Sequence, residues 1–186
     1  MSDSTFIQRI ARWAVLPAAI GLGFGLSAFS APAAEAATHY CNGYKATIVG
    51  TNGADDIEGT SGRDVIVGLG GNDEIDGNGG DDIICAGSGH DEVDGGSGND
   101  YIHGGSGHDS IEGGSGNDRI YGSSGNDHVE GESGKDKVYG NSGHDLVEGG
   151  TGKDKVSGGS GNDTVKQRYA SDREEDRWED RYGYDD

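Results

Sequence analysis

The sequence predicts an all-β solenoid in which 13 nonapeptide repeats stack into two sheets of short strands. Three observations carry this expectation. From Gly50 to Lys166 the chain divides into 13 blocks of nine residues with no insertion or deletion. The fourth position of every block is Gly and the sixth is Asp. The eighth is Ile or Val throughout. Self-similarity at a fixed short period is the mark of a stacked repeat architecture.

Each position in the block has a physical task. Glycines at positions one and four supply backbone conformations that a Cβ would forbid in a tight turn. Position one is Gly in 12 blocks, with Ala86 the exception. The three residues after the Asp have a β-branched residue in the middle, which reads as a strand showing one side chain inward and two outward. Turn and strand alternate, so two blocks make one coil of a flattened helix. Ile57 through Val165 then fill a thin core, one aliphatic residue per block. Burying one such side chain contributes roughly 1.5–3 kcal/mol, whereas ordering nine residues costs about 1–2 kcal/mol for each backbone unit. A core this narrow does not hold the fold by itself.

The Asp column supplies what is missing. Its members are Asp55, Asp64, Asp73, Asp82, Asp91, Asp100, Asp109, Asp118, Asp127, Asp136, Asp145, Asp154 and Asp163. Stacking brings carboxylates of one edge to strand spacing, about 4.8 Å, where they repel unless a cation lies among them. Carboxylates together with the carbonyls of Gly-rich turns make an all-oxygen donor set. That set suits Ca²⁺, whereas Mg²⁺ demands tighter geometry and keeps its waters. Ions bridging blocks two apart number at most about 11. Folding is therefore expected to follow calcium binding.

These blocks resemble the repeats-in-toxin (RTX, haemolysin-type) calcium-binding nonapeptide G-G-x-G-x-D-x-U-x over 117 of the 186 residues. The full G-G-x-G-x-D begins at Gly95, Gly104, Gly113, Gly149 and Gly158. Position two departs from Gly at Thr51, Thr60, Leu69, Asn78, Ser123, Glu132 and Asn141, which makes the first two blocks the weakest sites. The resemblance implies a right-handed parallel β-roll, with Ca²⁺ held by loop carbonyls and by the thirteen Asp named above. Members of the family often carry a protease, lipase or toxin domain and leave the cell by a C-terminal signal. No such domain is legible here, so catalytic or toxic activity is not carried over.

Composition agrees. Hydrophobic residues make up 31% of the chain, and 38 residues are Gly. A chain so polar stays disordered unless something besides a core orders it. Residues 1–36 read as a cleaved secretory signal peptide: Arg9 and Arg12, an apolar run from Trp13 to Phe29, then A-x-A patterns at Ala31–Ala33 and Ala34–Ala36. A retained membrane anchor is the competing reading, but the run is short for a span and holds Pro17, Gly21, Gly23 and Gly25. Arg9 and Arg12 are not adjacent, so a twin-arginine route is not indicated. Without that segment the chain keeps 12 basic and 32 acidic residues, a net charge of −20. Nucleic acid and anionic membrane are poor partners for such a surface, and calcium ions are the natural ones.

Residues 37–49 are expected to cap the N-terminal end. The stretch from Cys41 to Val49 fits one further block, with Ile48 inward and Ala46 where the Asp would stand, hence without a metal site. In an oxidising compartment Cys41 and Cys85 favour one disulfide over two free thiols, with Cys41 folded across the sheet to reach Cys85. The tail, 167–186, is acidic and aromatic. It reads either as a C-terminal cap, with Arg173, Arg177 and Arg181 at helical spacing, or as a frayed charged end.

Outward positions seven and nine differ between alternate blocks. Odd blocks show mostly carboxylates, as in Glu74/Asp76 and Glu92/Asp94. Even blocks show none: an apolar start at Val65/Val67 and Ile83/Cys85 is followed by a stripe of Arg119, Tyr121, Lys137, Tyr139 and Lys155. His90, His108 and His144 share position five, where a solvated loop is the default reading and a transition-metal site the alternative. No nucleophile–base set or HExxH zinc signature is present, so an enzyme is not expected. The leading expectation is a secreted calcium-binding surface or matrix module. A calcium-dependent adhesin or ligand binder using the Arg119–Lys155 face is the alternative.

Overall fold

The computed structural model describes residues 38–168. The segment read as a signal peptide and the tail beyond Arg168 lie outside the described residues. The chain forms an all-β parallel solenoid. Each strand pairs with its counterpart 18 residues on, as in Ile84↔Ile102 and Ile111↔Val129. Two blocks therefore make one coil, as the period of nine requires.

One sheet has seven strands, all parallel, with Ile48–Val49 at one edge and Lys155–Ser160 at the other. It collects the even blocks. The opposite sheet collects the odd blocks through strands such as Glu74–Asp76, Glu92–Asp94 and Ser110–Glu112. Even strands run six residues, for example Ile83–Ser88 and Tyr101–Ser106, twice the three expected. The residues after the inward aliphatic also pair along the axis, as in Gly87↔Gly105 and Ser88↔Ser106.

The core is the single file the sequence implies. Ile57, Ile66, Ile75, Ile84, Val93, Ile102, Ile111, Ile120, Val129, Val138 and Val147 are buried, with Ala86 among them and Ile48 and Val156 packed at the ends. Val165, expected inside, is 47% exposed, because the last described strand has a coil on one side only.

Residues 38–49 lie at the N-terminal end of the described strands. Ile48 and Val49 pair in register with Ile66 and Val67, continuing the solenoid. Residues 40–45 depart from it and form an antiparallel hairpin, Tyr40–Cys41 against Tyr44–Lys45. Asn42 and Gly43 both take positive φ at its turn, 48° and 82°, the conformation that two-residue hairpins favour. The hairpin covers the apolar outer start of the even sheet, where Cys41, Val65, Val67 and Ile83 are buried together. A Cys41–Cys85 disulfide fastens it there, with the two Cα atoms 5.8 Å apart. Among the described residues no helix is long and apolar enough to cross a membrane.

Candidate metal centre

The thirteen Asp stand in two columns, one on each edge of the solenoid, at the point where each turn enters its strand. Along either column the carboxylates are chained by the backbone. Oδ1 of Asp73 accepts the N–H of Asp55 at 3.0 Å, and Oδ1 of Asp82 accepts that of Asp64 at 2.7 Å. The pattern repeats to Asp154 and Asp163, which accept from Asp136 and Asp145. Asp64 through Asp145 are buried.

The second carboxylate oxygen has a different fate. In Asp73, Asp82, Asp91, Asp100, Asp109, Asp118, Asp127, Asp136, Asp145 and Asp154, Oδ2 is buried and has no hydrogen-bond partner. Ten orphaned acceptors of one kind are far more than a folded domain normally tolerates. Nine of the ten lie against the position-one glycine of their own block; Asp91, whose block opens with Ala86, is the exception. A Cβ on Gly77 would stand 2.9 Å from Oδ2 of Asp82 and 2.6 Å from the carbonyl oxygen of Gly95, one coil on. The same pair of oxygens faces Gly95, from Asp100 and Gly113. Carboxylate and carbonyl oxygens thus meet in spaces that glycine keeps open.

The electrostatics follow from burial. It pushes Asp100 up to about 7 and Asp109, Asp118 and Asp136 up to about 6. The backbone N–H bonds pull the other way, and neighbouring carboxylates of the column add to the rise. Asp73, Asp82, Asp91 and Asp127 are raised for the same first reason. A divalent cation at Oδ2 would reverse the balance by favouring the charged form. Among the described residues no three His, Cys, Asp or Glu side chains converge, so main-chain carbonyls would complete the coordination. An oxygen-only, carbonyl-rich set of this kind fits calcium.

Asp55 and Asp64 are placed differently. Their Oδ2 atoms accept from Thr51 and Thr60 of their own blocks, each through the backbone N–H and the hydroxyl. Composition and period did not anticipate this; the signal lay in Thr at position two. Asp163 belongs to the last described turn and is only half-buried.

The three His do not converge. Nδ1 of His90, His108 and His144 accepts the backbone N–H of His108, Asn126 and Asn162, and the rings of His90 and His108 stack at 5.0 Å. Asn residues at the same position do likewise: Oδ1 of Asn99 accepts from Asn117. Position five is a hydrogen-bonding ladder. On the even face Tyr121 and Tyr139 stack at 5.2 Å, and Lys155 Nζ lies 5.7 Å from the Tyr139 ring centre.

Stacked turns, buried carboxylate columns and glycine-lined oxygen spaces define a parallel β-solenoid fitted to bind cations. The chain belongs to the RTX calcium-binding nonapeptide repeat family, whose model (4 copies) matches in overlapping registers from 49–84 through 130–165. The matched residues are accordingly a calcium-binding, structural and non-catalytic repeat. No curated protein matches the chain.

Proposed function

We propose that this is a secreted module that folds on calcium and works as a rigid extracellular surface or matrix element, with residues 1–36 removed as a signal peptide. Calcium is held by the position-six aspartates of the two columns together with turn carbonyls, in at most about 11 sites. Residues 50–166 form a thirteen-block β-roll wound right-handed, the hand that parallel crossovers take. Residues 37–49 cap it at the N-terminal end, and 167–186 form the tail or C-terminal cap. The observation that carries the reading is the set of ten buried, unpartnered Oδ2 atoms. Without a cation each is a desolvated acceptor that costs stability, and with one it becomes a ligand. The test is circular dichroism of residues 37–186 titrated with Ca²⁺, with Mg²⁺ as control. A cooperative gain of β signal specific to calcium is expected; the same signal in a chelated sample removes the proposal.

A second reading concerns the even face. Arg119, Lys137 and Lys155 stand on adjacent strands in register, beside the Tyr121–Tyr139 stack. This cationic, aromatic row supports a calcium-dependent adhesin that binds an anionic surface partner. Replacing Arg119, Lys137 and Lys155 by Ala should abolish attachment while leaving calcium binding intact. Attachment that survives the triple substitution rules this reading out.

A further inference from the structure

The thirteen blocks share one consensus, yet the structure divides them at position two. From the third block on, this residue takes positive φ: 80° at Leu69, 65° at Asn78, 93° at Ser123, 66° at Glu132 and 78° at Asn141, with Gly in the remaining six. Thr51 and Thr60 do not. Threonine is β-branched, and β-branched residues are the least tolerant of the left-handed region. The turn therefore closes on its own aspartate. Thr51 donates to Asp55 Oδ2 from N at 2.6 Å and from Oγ1 at 2.9 Å. Thr60 donates to Asp64 Oδ2 from N at 2.7 Å and from Oγ1 at 2.8 Å.

The carboxylate oxygen left bare in ten later blocks is thus doubly satisfied in the first two. The rest of the first pocket is unchanged. A Cβ on Gly50 would stand 2.6 Å from the Gly68 carbonyl and 2.9 Å from Asp55 Oδ2, the same distances found at Gly77. What differs is the residue at position two.

We infer that position two decides whether a block takes an ion, and that Thr51 and Thr60 make the first two blocks metal-free by standing in for calcium at Asp55 and Asp64. The inference rests on the calcium reading above. At the end of a solenoid a ligand-independent turn is useful. It presents a structured surface on which the next coil assembles when calcium arrives, and the disulfide and hairpin secure the same end.

The experiment is calorimetric calcium stoichiometry on three forms of residues 37–186, each checked by circular dichroism. The natural chain sets the reference count. Thr51→Gly with Thr60→Gly restores the consensus and should bind two more ions. Asn141→Thr places a β-branched residue at a position that now takes positive φ and should bind one fewer. An unchanged count in the glycine double variant, with the natural chain binding calcium normally, overturns the inference. If the natural chain binds no calcium, the calcium reading fails instead.

Discussion

The backbone N–H of Asp100 donates to Oδ1 of Asp118 at 2.8 Å, while Oδ2 of the same Asp118 side chain has no partner. One carboxylate thereby does two things. Its first oxygen ties a coil to the coil before it and fixes the side chain's orientation; its second is held, desolvated, in a space bounded by glycine. The bond that builds the column also fixes where the second oxygen points.

Asp118→Asn separates the two tasks, because the amide keeps an acceptor for the Asp100 N–H and loses the charge. In calcium the variant should bind one fewer ion. Where free calcium is about 100-fold above Kd, one lost site costs about 2.7 kcal/mol. In chelator the sign should invert, because the substitution removes a buried carboxylate whose ionisation burial disfavours. Urea denaturation in calcium measures the first, and the β signal of the variant against the natural chain in chelator measures the second.

Acid should partly substitute for calcium. Asp100 is raised to about 7, and Asp109, Asp118 and Asp136 to about 6, against an ordinary value of 3.8. The folded chain without metal therefore holds protons that the unfolded chain releases. That stability is fully present below the ordinary value and is lost as pH rises through 6 to 7. In chelator, β signal should be greater at pH 4.5 than at pH 7.5. Protons compete with calcium for the same oxygens, so the calcium midpoint should rise as pH falls below about 6. Titrations at several pH values check both slopes.

Core substitutions should grade with position along the file. Ile102 is wholly buried between coils on both sides, and Ile102→Ala should cost about 2–5 kcal/mol in saturating calcium. Val165 is 47% exposed, and Val165→Ala should stay within about 0.5 kcal/mol. Calcium-saturated thermal melts of the two variants make the comparison.

Reduction of Cys41–Cys85 should act at one end. Losing a cross-link that closes a loop of this length costs about 2–4 kcal/mol. In chelator, hydrogen exchange should show residual protection over 38–67 in the oxidised chain and its loss on reduction, with 86–166 fast in both.

Much of this was legible because a period of nine leaves little freedom. Gly at position four, Asp at six and an aliphatic at eight dictate turn, column and core, and alternation of blocks assigns Tyr121 and Glu112 to opposite faces. The reach of Cys41 to Cys85 followed from placing the first block in register. What escaped depends on exceptions to the period. Asn42–Gly43 encodes a hairpin, but a reading that extends the repeat to Cys41 passes over it. Thr51 and Thr60 read as imperfect glycines, whereas their branching redirects the turn. The extra strand length of the even blocks comes from main-chain pairing at positions whose side chains say little, such as Gly87 and Ser88. His90 and His108 invited a metal reading that the backbone bonds to Nδ1 make unnecessary.

The pairing of each residue with one 18 positions away restricts how such a chain can lengthen or shorten over generations. Loss of one block transfers everything downstream to the other sheet; every block carries its aspartate, so the columns stay continuous, but Lys137 and Tyr139 give way to Leu146 and Glu148 and the two faces are scrambled. Loss or duplication of two blocks preserves both faces. Inheritable length is therefore counted in whole coils, and relatives of different size should differ by even numbers of blocks.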